Sequence, residues 1–494
     1  MARKRPSVTR WSQVVQGTRE VTRAVSRAVQ AGELRPIGPN LYTPNLDEDL
    51  EVLIRRHWFD IVGYLVPEAV VSFRTAIDAK PATDGSVFVV GRTQYERDLP
   101  GLRIRSVKGV GPQPGDMTFP GGIFLASRAR AMLEALKPSR QRKTVARGLS
   151  KAELERTLER EFQSAGETRL NRIRDDAASL APTLAADKEY QTLSRMIGMI
   201  LGSRPGTPTH ASVAGRLAAD PYDADRIVLF ETLLAHLNSE VSPSWPAQVG
   251  ASAFTNVSFF DAYFSNYIEG TEFEIDEARS IVFDNVIPRG RQEDAHDVIG
   301  TYAVVGSETL MSQSVRDDAT PDEFLERVRH WHARIMEKRP EKRPGQWKEV
   351  ANRAGETRFV VPALAAGTLR RGIEMFRTLD HPFQRALAVM FLLSEVHPFD
   401  DGNGRVSRAF MNAELVAAGA SRILIPTVYR EEYLAGLRVL SRTREPQPYT
   451  RVMQYAQRFV AAIDWSSYQT ARDQLSATHA FEKPRLDMKL SLPQ

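Results

Sequence analysis

The stretch that decides how this chain is read runs from Glu395 to Ala413, EVHPFDDGNGRVSRAFMNA. Just upstream, Phe383, Leu387, Met390 and Leu393–Ser394 trace one face at helical spacing, which predicts a helix over 382–396. A second helix is expected from about Asn403, carrying Arg405, Arg408, Phe410 and Leu415. The connection between them, HPFDDGN, is short. Gly402 and Gly404 flank the start of the second helix, where backbone N–H groups lack internal partners and the dipole is positive. An anion binds well at such a place, and glycine lets the backbone approach it closely. Arg405 and Arg408 are three apart, so both can flank that end, and guanidinium forks suit phosphate oxygens. Asp401 is placed to hold Mg²⁺, with phosphate oxygens completing the shell. His397, across the loop, is the natural general base near neutral pH. Together these parts describe a polyphosphate and Mg²⁺ site with a base beside it, suited to phosphoryl or nucleotidyl transfer to a hydroxyl.

Other phosphate-binding patterns do not fit. No G-x-x-x-x-G-K-[ST] run occurs, and KGVGPQPG at 108–115 has the wrong spacing and too many prolines for a dinucleotide turn. The chain supplies its own control. His381-Pro382-Phe383 repeats the HPF tripeptide, but QRALAV follows and no anion site can form there. The remaining histidines make no zinc-type cluster, and Cys is 0, which excludes a disulfide scaffold, a thiolate zinc site and a cysteine nucleophile.

The 494 residues suggest two to four domains, and 42% hydrophobic with 26% charged residues is ordinary globular usage. No apolar run approaches the roughly 18–20 residues of a membrane span. The start, MARKRPSVTRW, has no apolar segment behind it and is not read as a secretory signal. A soluble, cytoplasmic protein without a membrane partner is expected. Net charge is +5, and it is concentrated early. Up to Asn40 there are eight basic residues (Arg3, Lys4, Arg5, Arg10, Arg19, Arg23, Arg27, Arg35) against Glu20 and Glu33.

The expected fold is multidomain and mostly α. Residues 1–45 read as a winged-helix-like module: Val21, Ala24, Val25 and Ala28 share a face of a helix over 19–31, Arg19, Arg23 and Arg27 lie on another, and LRPIGPNLYTPN comes next as two short strands. A small α/β domain is expected over 46–135 (strands in SVFVVG, LRIRSV and GIFLAS), a helical connector over 136–205, an all-α domain over 206–464, and a polar, loosely ordered tail over 465–494. GELRPIGPNLYT, together with the chain from there to about residue 135, resembles the N-terminal part of AbiEi-type antitoxin and regulator proteins. The Arg19, Arg23 and Arg27 stripe is more often a solvated face than a DNA contact, but beside a wing it leaves DNA open as a partner, and a DNA-binding regulator or antitoxin-like protein with the all-α domain as sensor is the alternative to an enzyme.

HPFDDGNGRVSR, His397 to Arg408, resembles the Fic-family signature H-x-F-x-[DE]-G-N-G-R-x-x-R at every defined position. The resemblance spans roughly 210–463. It implies an all-α Fic domain that transfers AMP from ATP to a Ser, Thr or Tyr hydroxyl of a target protein, releasing pyrophosphate. It implies that His397 deprotonates the hydroxyl, Asp401 binds Mg²⁺, and Gly402, Asn403 and Gly404 cradle the α- and β-phosphates with Arg405 assisting. Arg408 would grip the γ-phosphate, and Phe399 would anchor the loop in the core. The family's target-holding flap resembles Thr357, Arg358, Phe359, Val360, Val361 and Pro362. Ser265-Asn-Tyr-Ile-Glu269-Gly270 resembles the inhibitory motif [ST]-x-x-x-E-[GN], at the end of a helix read over 256–268. It implies self-inhibition through a Glu269–Arg408 pair in the γ-phosphate's seat. Asn412, Tyr429 and Tyr433 are read as packing residues and Asp400 as an exposed loop acid. Other family members transfer UMP, phosphate or phosphocholine, so the donor, the target, self-modification and oligomeric state stay open.

Overall fold

SVFVVG, Ser86–Gly91, is apolar at most positions and buried along its whole length. Only a strand inside a sheet covered on both faces has that pattern. It pairs in parallel with Leu102–Lys108 and antiparallel with Val70–Val71. The six-stranded mixed sheet continues with Tyr95–Leu99 beyond Leu102–Lys108, and with Ile123–Leu125 and Met117–Phe119 on the other side. Tyr95–Leu99 is a strand that the sequence does not announce, because YERDL alternates without a hydrophobic face and forms the sheet's edge.

This computed structural model describes residues 11–18, 22–138, 145–218, 220–242, 244–484 and 489–493. The chain divides into two units, Met1–Leu217 and Ala218–Gln494. In the first, the Thr22–Gln30 helix is followed by strands Arg35–Gly38 and Leu41–Thr43. Val15–Gln16 adds a third antiparallel strand. Pro39 and Asn40 make the turn, Asn40 at φ 59°, which Pro then Asn at the two central positions favours. Arg23 and Arg27 are exposed, whereas Arg3, Lys4, Arg5, Arg10 and Arg19 lie outside the described residues.

The segment read as a connector is part of this unit's core. Lys151–Leu180 begins with a capping box of Ser150 and Glu153 and bends at Ala165–Gly166, and Asp187–Ile200 comes after it. Leu154, Leu158, Leu170, Ile173, Leu193 and Ile197 pack in one cluster with Val87, Ile104 and Leu133. Most charged residues of these helices are at least partly exposed and conceal an apolar stripe, whereas Glu155 and Glu159 are buried, Glu159 2.9 Å from Arg216.

The second unit is helical apart from a small hairpin, Arg353–Ala354 with Thr357–Arg358, and one isolated bridge. Its centre is the Pro382–Val396 helix, buried nearly all round, as a helix apolar on every face must be. The Ala224–Ser239, Pro362–Phe376 and Asn403–Ala417 helices surround it. His381, from the second HPF tripeptide, caps it, its Nδ1 accepting from the Phe383 N–H at 3.2 Å.

The described residues of the terminal segment, 465–484 and 489–493, pack against the second unit, where a loose tail was expected. Trp465 is buried and donates its indole N–H to the Val460 carbonyl at 3.0 Å. Helix Tyr468–Ala477 buries Ala471 and Leu475, and Ala480 and Leu490 join the same cluster. A polar average hid an i, i+4 apolar pair.

Candidate active site

Helix Pro382–Val396 ends because His397 adopts the left-handed conformation, φ 51° and ψ 59°, and Pro398 cannot continue a helix. A non-glycine residue there costs roughly 1–3 kcal/mol and persists only where its surroundings dictate it. They do. The His397 N–H donates to the Leu393 carbonyl at 3.0 Å, and the Lys348 N–H to the Pro398 carbonyl at 2.9 Å. The Lys348 ammonium reaches the Val396 carbonyl at 3.3 Å and Asn352 Oδ1 at 2.7 Å. Phe399 is buried between His332, stacked at 3.7 Å, and Trp347 at 5.0 Å.

The Asn403 side chain closes the loop on itself. Its Oδ1 accepts the Phe399 N–H and its Nδ2 donates to the Phe399 carbonyl, both at 2.9 Å. That amide is therefore committed to the loop, and only the Asn403 backbone remains to meet a ligand. Gly402 caps the second helix at φ 74°, and a Cβ there would lie 2.8 Å from Met336 Sδ.

The helix start already holds an anion: a carboxylate of the chain itself. A Cβ on Gly404 would fall 2.0 Å from Glu269 Oε1, so the Glu269 carboxylate rests on the bare Cα. Arg408 donates to that oxygen at 2.7 Å and is otherwise held by Ser265, Nε to Oγ and Nη2 to the carbonyl, each at 2.9 Å. The Arg408 side chain is 5% exposed and that of Glu269 30%. The helix that carries Ser265 and ends at Glu269, Ala251–Ile268, is anchored by Asp261, which accepts from Arg422 and Asn412 at 2.9 Å each. Asn412 is thus a packing amide, as read.

Arg405, expected to assist the phosphates, has carboxylates as its neighbours. It is buried, lies 3.0 Å from Asp297 Oδ2 and 3.5 Å from Asp401 Oδ1, and so orients carboxylates. Asp401 is half-exposed. Its Oδ1 accepts the Gly402 N–H at 2.6 Å and its Oδ2 lies 3.7 Å from Lys342 Nζ. Among the described residues no group of three or more metal-type ligands exists. One reachable carboxylate beside an anion seat fits Mg²⁺, which binds through one or two carboxylates plus phosphates and water.

His397 Nδ1 lies 3.3 Å from the Ser394 carbonyl. A carbonyl only accepts, so the proton sits on Nδ1 and Nε2 is left with its lone pair. Burial pushes the ring's pKa down to about 4, only partly offset by that hydrogen bond. The imidazole is therefore neutral at physiological pH. Burial also lowers Lys348 to about 8 and His332 to about 4.

A cavity of about 470 Å³ opens here. His397, Ser394, Gly404, Arg408 and Glu269 line it, together with the apolar Leu434 and Leu437 and with Tyr433. Its size and mixed lining suit a nucleotide-sized ligand. Residues 322–415, which hold this loop and both its arginines, match the Fic/DOC family. The chain carries a Fic domain. It is similar to protein adenylyltransferase fic-1 of Caenorhabditis elegans, 27% identical over 222 residues, 42% of each chain. It is also similar to protein adenylyltransferase Fic of Drosophila melanogaster, 28% over 198 residues, 39% of each. The chain spans less than half the length of these relatives. The solved C. elegans Fic-1 (residues 134–508) is 19% identical, covering 66% of this chain and 98% of that one at TM-score 0.36.

Around the Fic loop, Thr357 and Phe359 line the cavity with His397 and Glu269. The hairpin proper is shorter than the stretch read as a flap. Val360 is buried in the core, Val361 caps the next helix and Pro362 is its first residue, where a missing N–H does no harm. Ser265 is buried against Arg408, and Gly270, at φ 96°, lies just past the helix end. Tyr433 is buried, as read, and lines the cavity together with Arg408. His332, Lys348, Asn352 and Asp297 support the Fic loop from distant stretches, and no local spacing marks them.

Proposed function

We propose that this Fic domain transfers AMP from ATP to a hydroxyl side chain of a protein, and that Glu269 restrains it. One observation carries the reading. The Glu269 carboxylate lies on Gly404 at the helix N-terminus and is gripped by Arg408, so a seat for an anionic oxygen exists and is filled from within. In the reaction, Nε2 of His397 takes the hydroxyl proton while the acceptor oxygen bonds to the α-phosphorus. The bond from that phosphorus to the β-phosphate oxygen breaks, and pyrophosphate leaves with its electron pair. The backbone at Gly402, Asn403 and Gly404 and the Arg408 guanidinium hold the phosphates. A magnesium ion on Asp401 would add neutralising charge. With Glu269 in place, Arg408 is unavailable to the far end of the triphosphate, and in-line geometry is lost. The names borne by the similar proteins support adenylyl transfer as the chemistry.

The test uses full-length protein, Mg²⁺ and ATP labelled at the α- or the γ-phosphate. Glu269→Gly should acquire α-label, on itself or on lysate proteins, and no γ-label. Adding His397→Ala should abolish it. Absence of α-label from Glu269→Gly, or its persistence without His397, would refute the reading, and transfer of γ-label would make the protein a phosphotransferase instead.

A further inference from the structure

The His397 ring has two faces, and Phe359 covers one of them. The ring centroids are 3.8 Å apart and the planes differ by 4°. Phe359 is the first residue after the hairpin, and both its neighbours are pinned. The Arg358 carbonyl accepts from Arg226 Nη2 at 2.6 Å, and Val360 is buried in the core. The Phe359 N–H itself donates to the Asn352 carbonyl at 3.3 Å. Asn352 also gives its Nδ2 to the Phe399 carbonyl, so the platform and the loop carrying His397 share one anchor. Phe359 is half-buried and could be polar without cost to the core.

The geometry points to Phe359 as a positioning residue for His397: laid flat on the imidazole, its ring fixes the plane in which Nε2 meets the acceptor hydroxyl and keeps water off that face. This role rests on the transfer reading. The Nδ1 hydrogen bond to Ser394 sets the rotation of the ring within its plane, and the stack sets the tilt of that plane. A base aimed slightly wrong loses much of its effect. The other groups that bear on His397 are the Ser394 carbonyl, the Lys348 ammonium and the Glu269 and Asp401 carboxylates. All act through charge or dipole. Phe359 acts by covering, so replacing it isolates that effect.

The experiment titrates His397 by NMR in full-length protein with labelled histidine, its signal identified by loss in His397→Ala. The midpoint should lie near 4 with Phe359 present and rise toward 6.5 in Phe359→Ala. Phe359→Tyr should titrate like the parent, and Phe359→Leu, which covers without stacking flat, should fall between. In the Glu269→Gly background, Phe359→Ala should lower kcat at least about tenfold with ATP KM nearly unchanged, and Phe359→Tyr should restore it. An unmoved midpoint in Phe359→Ala overturns the proposal. So does a rise in kcat, which would make the ring a plug. Titration needs no turnover, so the two failures are told apart: an unmoved midpoint defeats the covering role of Phe359, whereas failure of Glu269→Gly to transfer label defeats the transfer reading on which that role rests.

Discussion

If Glu269 occupies the triphosphate's seat, removing it must tighten ATP binding by the free energy of the contact it surrenders. The contact is one charge-assisted hydrogen bond, Arg408 Nη2 to Glu269 Oε1 at 2.7 Å. Hydrogen bonds to charged groups contribute about 1.5–3 kcal/mol net. At about 1.4 kcal/mol per tenfold, that is a gain of roughly 10- to 150-fold in apparent affinity. Glu269 is 30% exposed, so water already weakens the pair and the lower end is expected. The assay is calorimetric or fluorescent-nucleotide titration of parent, Glu269→Gln and Glu269→Gly, without acceptor. Glutamine keeps a neutral acceptor near Arg408 and should fall between. A second readout comes from stability. In Glu269→Gly the buried Arg408 keeps Ser265 but loses its counter-ion, so Tm should fall without nucleotide and recover further with saturating ATP than in the parent. Equal ATP affinity across the three proteins would refute the idea that carboxylate and triphosphate share a seat.

The same contacts set further outcomes. Asn403→Ala strips two hydrogen bonds from the Phe399 backbone and leaves a buried N–H unpaired, so stability should drop by about 1–3 kcal/mol in denaturant titration, with transfer lost as the loop loosens. Arg422→Met leaves Asp261 buried without its partner and should cost about 3–5 kcal/mol, with label incorporation by the otherwise unaltered chain rising as the inhibitory helix slackens. His332 and His397 are both held neutral by burial, near 4 against 6.5. The unfolded chain therefore binds protons first on acidification. Stability should be full above pH 6.5 and fall toward pH 4, by up to about 1.4 kcal/mol per unit for each ring, and His332→Gln should remove its share of that slope.

The candidate site was legible because one loop contains most of it. The His397–Arg408 run carries its own glycines, imidazole and cations, and a helix N-terminus accounts for them without reference to the rest of the chain. The Glu269–Arg408 contact spans 139 residues and was reachable only through resemblance. What could not be read was support from afar. His332 and Lys348 act on Asp401 and Val396 through carbonyls, with His332 Nε2 3.0 Å from the Asp401 oxygen, and a carbonyl leaves no mark in a sequence. Arg405 also pairs where no spacing foretold it. Its partner Asp297 comes from a helix whose docking no local pattern reveals.

The final thirty residues bear on the restraint in a mechanical sense. Asn256 donates to the Trp465 carbonyl at 2.9 Å, Phe260 meets the Trp465 ring at 5.7 Å, and Phe264 stacks on Phe481 at 5.5 Å. All three belong to the helix that ends in Glu269. A chain cut before Trp465 would retain every group of the loop between the two central helices yet lose the buttress behind the helix that ends in Glu269, so under the proposed restraint Trp465 and Phe481 would matter as the carboxylate does.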